Sequence, residues 1–546
     1  MTFTLDSRTV PAMGAYRDAV GVLYPENPRR VLGVRVGGET RPLTDTPRCG
    51  EIAETLDYTC EEGRRIYERS LRFVFLLAAR RLFPGSRVRL EHSMGRGIYA
   101  VIHGQTPLTA ALVEQLEQEM RAIIDADLPF AYHFLSRAEA IDYFLANGQS
   151  DKAALLQCRP FEHFQLYECG GMFEYFYGVM APSTGYVPCF QLQFYLPGVI
   201  LRLPEPDGSM PPFRDMPKLA STFARTAQWN RILECSNVAD LNDMVRRRTL
   251  REFIRVSEAL HEKSISAIAD QFVESGARVL LIAGPSSSGK TTFAHRLSIA
   301  LRVNGLRPVK LSLDDYYRNR EDLPLEPDGT VDLERLDTLD VALFNAHLVQ
   351  LLQGEAVETP VYDFKTGRRA DQTHTLRIGS DQPVLIEGIH GLNDTLTSQV
   401  ARRMKFKVYI SALTTLNLDD HNRIRTTDAR LLRRLVRDHL FRGTTPEETL
   451  NMWASVRRGE EKYIFPFQEE ADVMFNSSLA YELSVLKKYI YPMLAAIQPD
   501  MSNYTLAQRL VKFLNYIQTS DVEDEIPPNS ILREFIGGCC FYKNID

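Results

Sequence analysis

The chain has 546 residues, too many for one hydrophobic core and enough for about three or four domains. Apolar residues make up 44% and charged residues 25%, the balance of a soluble globular protein rather than a disordered or fibrous one. A formal net charge of −6 gives no global electrostatic reason to expect a nucleic-acid or anionic-membrane partner.

The most apolar segment, 73–79, is only seven residues long and lies between arginines, which suits a buried helix rather than a membrane span. The first residues lack a basic region followed by an apolar one, so no secretory signal is expected. Eight cysteines are scattered without a C-x-x-C pair, a pattern that fits a reducing compartment. A cytoplasmic enzyme is the simplest expectation.

In chain order, Val31–Val36 reads as a strand, 64–82 as a core helix and 108–124 as an amphipathic helix. Ser136-Arg-Ala-Glu139 has the form of a capping box opening a further helix that Gly148 closes. Strands and helices mix here without βα alternation, so this half is expected to be α+β. Residues 204–212 are rich in proline and glycine and read as a loop. A charged helical stretch over 238–273 follows, with Phe253, Val256, Leu260, Ile265, Ile268 and Phe272 on an apolar face.

The C-terminal half changes character. Short apolar runs at Val279–Ala283, 309–313, 384–386, 406–410 and 471–475 are separated by enough chain for crossover helices, which predicts a parallel sheet with helices on both faces. The first run leads into a Walker A loop, Gly284, Pro285, Ser286, Ser287, Ser288, Gly289, Lys290 and Thr291, followed by Thr292 and a helical pattern. The glycines let the backbone wrap a polyphosphate closely enough for successive N–H groups to face it. Lys290 would bring charge to the β and γ phosphates of ATP, and the Thr291 hydroxyl is placed for Mg²⁺. A chance Gly/Ser loop would not need a strand before it and a helix after it.

Two strand ends carry carboxylates. Asp314 and Asp315 close the second run, where a carboxylate can take the proton of an attacking hydroxyl or face the metal. Glu387 closes the third, the Walker B position, from which it would hold Mg²⁺ directly or through water, and Gly388 leaves room beside it. The run from Arg430 to Asp438 puts Arg430, Arg433, Arg434 and Arg437 on one helical face. Such stripes are usually solvated surface; beside a Walker A loop, the stripe is expected to act as a mobile lid that neutralises transferring phosphate. Thr445-Pro-Glu-Glu448 then caps a new helix.

Together these motifs, with Pro360-Val-Tyr-Asp-Phe364 and Ala471-Asp-Val473, resemble the uridine kinase and phosphoribulokinase family over about residues 275–480. The resemblance implies an α/β P-loop kinase domain using ATP and Mg²⁺, with Asp314 as catalytic base and Thr291 and Glu387 as metal partners. It further implies Tyr362 as a contact to a nucleoside, Arg430 and Arg433 as lid arginines, and Asp332 or Glu334 on ribose hydroxyls. Pyrimidine kinases carry a histidine after the Tyr-Asp-Phe segment where this chain has Lys365-Thr-Gly-Arg368-Arg369, so uridine itself does not follow. Those basic residues would suit a sugar-phosphate acceptor, as in phosphoribulokinase, which is the alternative.

The N-terminal half resembles that of threonyl-tRNA synthetase, a β-grasp domain and an editing domain, through Arg69-Ser70 to Pro84, Gly97-Ile-Tyr99 and Cys169-Gly-Gly171. The family's editing histidines fall at Arg69, Phe73 and Phe173, leaving Cys169 alone. Joined, the two halves resemble a group of bacterial nucleoside-kinase-like proteins. The implied organisation is a β-grasp domain over 1–60, an editing-like domain over 61–205, a helical connector over 206–275, the kinase domain over 276–490 and a C-terminal extension over 491–546. Expected partners are ATP and a small hydroxyl-bearing substrate; no membrane is expected, and tRNA, a nucleotide-switched RNA-binding role and homo-oligomerisation stay open.

Overall fold

The computed structural model describes residues 2–12, 14–159, 161–323, 332, 334–363 and 366–541. Its C-terminal half is built on a five-stranded, wholly parallel sheet in the order Val309–Ser312, Val384–Glu387, Val279–Ala283, Lys405–Ser411, Val473–Asn476. The middle strand, Val-Leu-Leu-Ile-Ala, is buried at every position, as a strand covered on both faces requires. Its side chains divide with period two. Leu280 and Ile282 join a core with Phe293 and Leu297 of the following helix, while Val279 and Leu281 join Leu313, Phe344 and Leu348 on the opposite face. Each expected strand is present within a few residues of its expected bounds.

The connector differs from a single helix. Arg248 takes φ 62°, so the chain breaks into Val238–Arg247 and Leu250–Ser275, and a further helix, Pro217–Ile232, precedes them. The long helix buries Phe253, Ile265, Ile268 and Phe272 against the kinase core. Residues beyond the last strand add Glu482–Ala495 and Tyr504–Leu514, whose Ala507, Leu510 and Leu514 enter that same core.

The N-terminal half is α+β. Its first unit is a mixed sheet, Arg8–Pro11, Thr2–Leu5, Ile52–Asp57, Val31–Val36, Glu39–Arg41, accompanied by the helix Tyr16–Leu23, which is the β-grasp arrangement. Next comes the buried helix Glu61–Leu82 with two antiparallel sheets, one of four strands (Gln191–Tyr195, Gly198–Arg202, Gly97–His103, Arg87–Met94) and one of three (Met172–Glu174, His163–Cys169, Ala131–Ser136). Ser136 and Glu139 form the reciprocal capping box expected of them.

A hairpin of the kinase half, Asn417–Asp419 with Asn422–Arg423, joins the two halves. Leu90 N–H donates to the Asp420 carbonyl at 2.8 Å and Asn417 Nδ2 returns a bond to the Leu90 carbonyl at 2.7 Å. Arg89 reaches the Asp420 carboxylate at 3.0 Å, Tyr177 donates its hydroxyl to Asp419 at 2.9 Å, and Arg423 meets Glu68 at 3.2 Å. These groups are largely buried and paired across the junction, so separating the halves would strand charge away from water. Among the described residues no helix is long and apolar enough to cross a membrane.

Candidate active site

The phosphate-binding loop leaves the carboxyl end of the middle strand and enters the helix Lys290–Val303. Two of its residues have to be glycine. A Cβ on Gly284 would stand 1.9 Å from the Ile410 carbonyl oxygen, and Gly289, capping the helix, holds φ 83°. Lys290 Nζ folds back onto the loop, donating to the carbonyls of Gly284 at 2.8 Å and Pro285 at 3.1 Å. Burial lowers the pKa of its ammonium, against the pull of Glu387, Glu534, Asp314 and Glu334. The hydroxyls of Ser287 and Ser288 are buried without a protein partner, which leaves them free to donate to phosphate oxygens.

Asp314 stands in a one-turn 3₁₀ segment, Leu313–Tyr316, directly after the second strand, and its N–H is capped by Ser312 Oγ at 3.3 Å. Loss of water in the crevice raises the Asp314 pKa; Glu387 adds to the rise and Lys290 opposes it. Asp315 points elsewhere, toward the Tyr362 backbone and His374, and partial burial raises its pKa too. Of the two acids, Asp314 is thus the one beside the phosphate-loop lysine.

Glu387 lies level with Ile282 on one side and Ser312 on the other. Its Oε1 meets Lys310 Nζ at 3.0 Å, while Oε2 is buried without a hydrogen-bond partner. An orphaned carboxylate oxygen at this position fits Mg²⁺, which takes one or two protein oxygens and completes its shell with water and phosphate. Gly388 makes room: a Cβ there would come 2.5 Å from Leu313 Cδ1.

The arginine helix, Thr426–Arg442, departs from the expected lid. Arg430 and Arg433 are among the most completely buried large side chains of the protein. Arg430 forks onto Glu460 and donates to the Ser286 carbonyl at 2.9 Å. Burial alone would raise the Glu460 carboxyl, but Arg430 and Arg457 hold it below its ordinary value. Glu460 in turn accepts the Ser286 N–H at 3.0 Å. Arg433 pairs with Glu482, donates to the Ser477 carbonyl at 2.7 Å and reaches the Ser287 carbonyl at 3.5 Å. The two arginines brace the loop from behind, which corrects the picture of a mobile cationic stripe. Their acidic partners are 30 and 49 positions away, beyond what helical spacing reveals. Arg434 is the arginine that faces the loop's hydroxyls, donating to Ser286 Oγ at 2.9 Å.

The ring of Tyr362, expected to contact a nucleoside, lies 5.5 Å from that of Tyr317. Asp332 accepts from the Tyr463 hydroxyl at 3.0 Å and from the Glu334 N–H at 3.1 Å. Burial raises the Glu334 carboxyl to about 7, with Lys290 pulling it back. The His390 ring is buried edge-on to Tyr463 at 6.0 Å, and burial lowers its pKa to about 4. Tyr463, His390 and Glu460 have no role that the sequence alone assigns. Arg368 pairs with Glu321 at 2.5 Å, and Arg369 donates to the carbonyls of Tyr317 at 3.0 Å and Tyr316 at 3.1 Å. Phe364 and Lys365 lie outside the described residues.

Residues 279–483 match the family model for the phosphoribulokinase / uridine kinase family. A uridine kinase from Deinococcus deserti is 32% identical over 197 residues, covering 36% of this chain and 86% of the relative. The chain belongs to this family. With a phosphate loop, a strand-end acid and a Walker B carboxylate in register, this family member is an ATP-dependent kinase. A threonine–tRNA ligase from Nitratidesulfovibrio vulgaris is 28% identical over 173 residues, 32% of this chain, and the chain spans about a quarter of that ligase, 27% of its length. A solved structure described as a possible uridine kinase from Bacillus stearothermophilus aligns at TM-score 0.27 and 21% identity, covering 39% of this chain and 97% of that one.

Proposed function

We propose that the kinase transfers the γ-phosphoryl group of ATP to a hydroxyl of a nucleoside or similar ribose-bearing small molecule. The observation that carries this reading is a tyrosine pair, Tyr317 and Tyr362, with the Glu334 charge acting on Tyr317 and Asp332 bonded to the Glu334 N–H and the Tyr463 hydroxyl. Flat aromatic faces suit a base, and carboxylates suit vicinal hydroxyls. A phosphorylated acceptor fits poorly. It would enter a crevice already holding Asp314, Glu334 and Glu387, and the two arginines that would suit it, Arg368 and Arg369, are committed to Glu321, Asp340 and backbone carbonyls.

In the reaction, Asp314 takes the proton of the attacking hydroxyl as its oxygen bonds to the γ-phosphorus and the bond to the β–γ bridging oxygen breaks, releasing ADP. Lys290 leaves its loop carbonyls for the β and γ phosphates, and the loop N–H groups hold the chain of phosphates. Thr291 and Glu387 would hold Mg²⁺, which when bound neutralises phosphate charge. ADP release measured across nucleosides and sugar phosphates tests the reading. Nucleosides are expected to stimulate it at least tenfold over the acceptor-free rate; stimulation confined to sugar phosphates would make the alternative correct.

For the N-terminal half we propose a binding or docking role without hydrolysis. Phe73 is buried between Phe130 and Phe176, Arg69 is held by the carbonyls of Val179 and Tyr177, and Phe173 packs on Tyr143 and His133. Cys169 is fully buried, which pushes its thiol up to about 12. Neither a metal-bound water nor a thiolate fits there. The intact chain should deacylate Ser-tRNA at the spontaneous rate and carry no stoichiometric zinc. Faster deacylation that disappears in Cys169→Ala would refute this.

A further inference from the structure

Residues 530–541 pack against the phosphate-binding loop and the helix that follows it. Ser530 anchors the segment, donating its hydroxyl to Glu258 Oε1 at 2.5 Å, an oxygen that also accepts from the buried Tyr481 hydroxyl at 2.6 Å. Ile531 then lies against the loop so closely that a Cβ on Gly289 would meet its Cγ2 at 2.4 Å. Phe535 is buried with its ring 5.1 Å from the Arg433 guanidinium, and Phe541 stacks on His295 at 5.1 Å and 9°. Between these contacts Glu534 directs Oε2 at Thr292, accepting its backbone N–H at 3.2 Å and its hydroxyl at 2.8 Å.

Thr292 is in the first turn of the helix Lys290–Val303, where N–H groups have no acceptor within the helix and where a bound nucleotide places its phosphates. A carboxylate there uses the same donors with the same sign of charge as a phosphate oxygen. Both cannot hold one N–H. Glu534 is also one of four carboxylates around Lys290, with Glu387, Asp314 and Glu334, so a triphosphate entering with the segment docked would add its charge to theirs.

We propose that Ile531–Phe541 is an internal ligand of the nucleotide site, with Glu534 standing where a nucleotide phosphate goes, so that nucleotide binding and docking of the segment compete. This rests on the nucleotide site and is independent of the acceptor. A static helix cap would use the same hydrogen bonds without being displaced, and two measurements separate them. The first is ATP affinity by calorimetry. Glu534→Gln keeps a hydrogen-bond acceptor and removes the charge, so the Kd should fall about tenfold, the scale of one charge-assisted hydrogen bond. The second uses the otherwise unaltered site. In a Cys540→Ser chain, alkylation of the buried Cys539, read by peptide mass, should accelerate at least fivefold with saturating ATP or with inorganic tripolyphosphate. An unchanged Kd together with unchanged or slower alkylation under saturating ATP would overturn the proposal. ATP binding to neither protein would instead remove the nucleotide site itself, and the proposal with it.

Discussion

Replacing Lys290 with alanine is expected to lower ATP turnover by about 10²–10³-fold while leaving the fold intact. The side chain supplies the only charge of the loop sequence Gly284–Thr291, and removing one preorganised donor from a developing phosphoryl charge costs about 10²–10³ in rate. Its present bonds are to two carbonyls of its own loop, and it belongs to none of the apolar clusters. Alanine is the best helix former, so the first helical position tolerates it. What is lost structurally is a pair of hydrogen bonds, worth about 1 kcal/mol each. Turnover and melting temperature measured on the same preparation check both halves of the statement. Near-normal turnover in a folded Lys290→Ala protein would mean that the loop does not hold the reacting phosphates.

The parts of this site that were legible beforehand are those in which one short segment does a whole job. Strand, glycine-rich loop and helix follow one another in 279–303, so the phosphate loop carries its own context. The ends of the second and third strands work the same way, because the parallel register itself sets Ser312 and Glu387 side by side, with Asp314 two residues on. Pairings across long separations were not legible. Arg430 looks identical in a stripe whether it faces water or Glu460, and only the fold brings the helix Pro446–Tyr463 against it. Glu534 is a sharper case: it meets Thr292 across 242 positions, and nothing in Arg-Glu-Phe-Ile announces an anion for a phosphate loop. In the N-terminal half, the strands Arg87–Met94 and Gly97–His103 are not among the expected elements: the second is a short apolar run that periodicity cannot tell from a buried helix, whereas the first does alternate at Val88, Leu90 and Met94. The helix Pro217–Ile232 buries only Leu219, Thr222, Phe223 and Asn230, too few apolar residues to betray a face.

Asp314→Asn is expected to cut kcat by about 10²-fold or more while changing ATP affinity far less. Asparagine keeps the size and the hydrogen-bonding reach of the side chain but cannot take a proton, and general-base contributions are about 10²–10⁴ in rate. Asp315→Asn is the matched control, since Asp315 faces Tyr362 and His374 rather than Lys290. The pH profile adds a second signature. A base must be ionised to act, and the dehydration and the Glu387 charge that raise Asp314 move its protonation to higher pH than an ordinary aspartate's. The acid limb of kcat/KM should therefore begin above the usual aspartate range of about 4, falling about tenfold for each further pH unit below that pKa. In Asp314→Asn that limb should vanish from the residual activity, because the group that titrates is gone. A crippled Asp315→Asn with an intact acid limb in Asp314→Asn would assign the base to Asp315. The charges argue against that outcome, because Asp314, unlike Asp315, feels both the Glu387 carboxylate and the Lys290 ammonium.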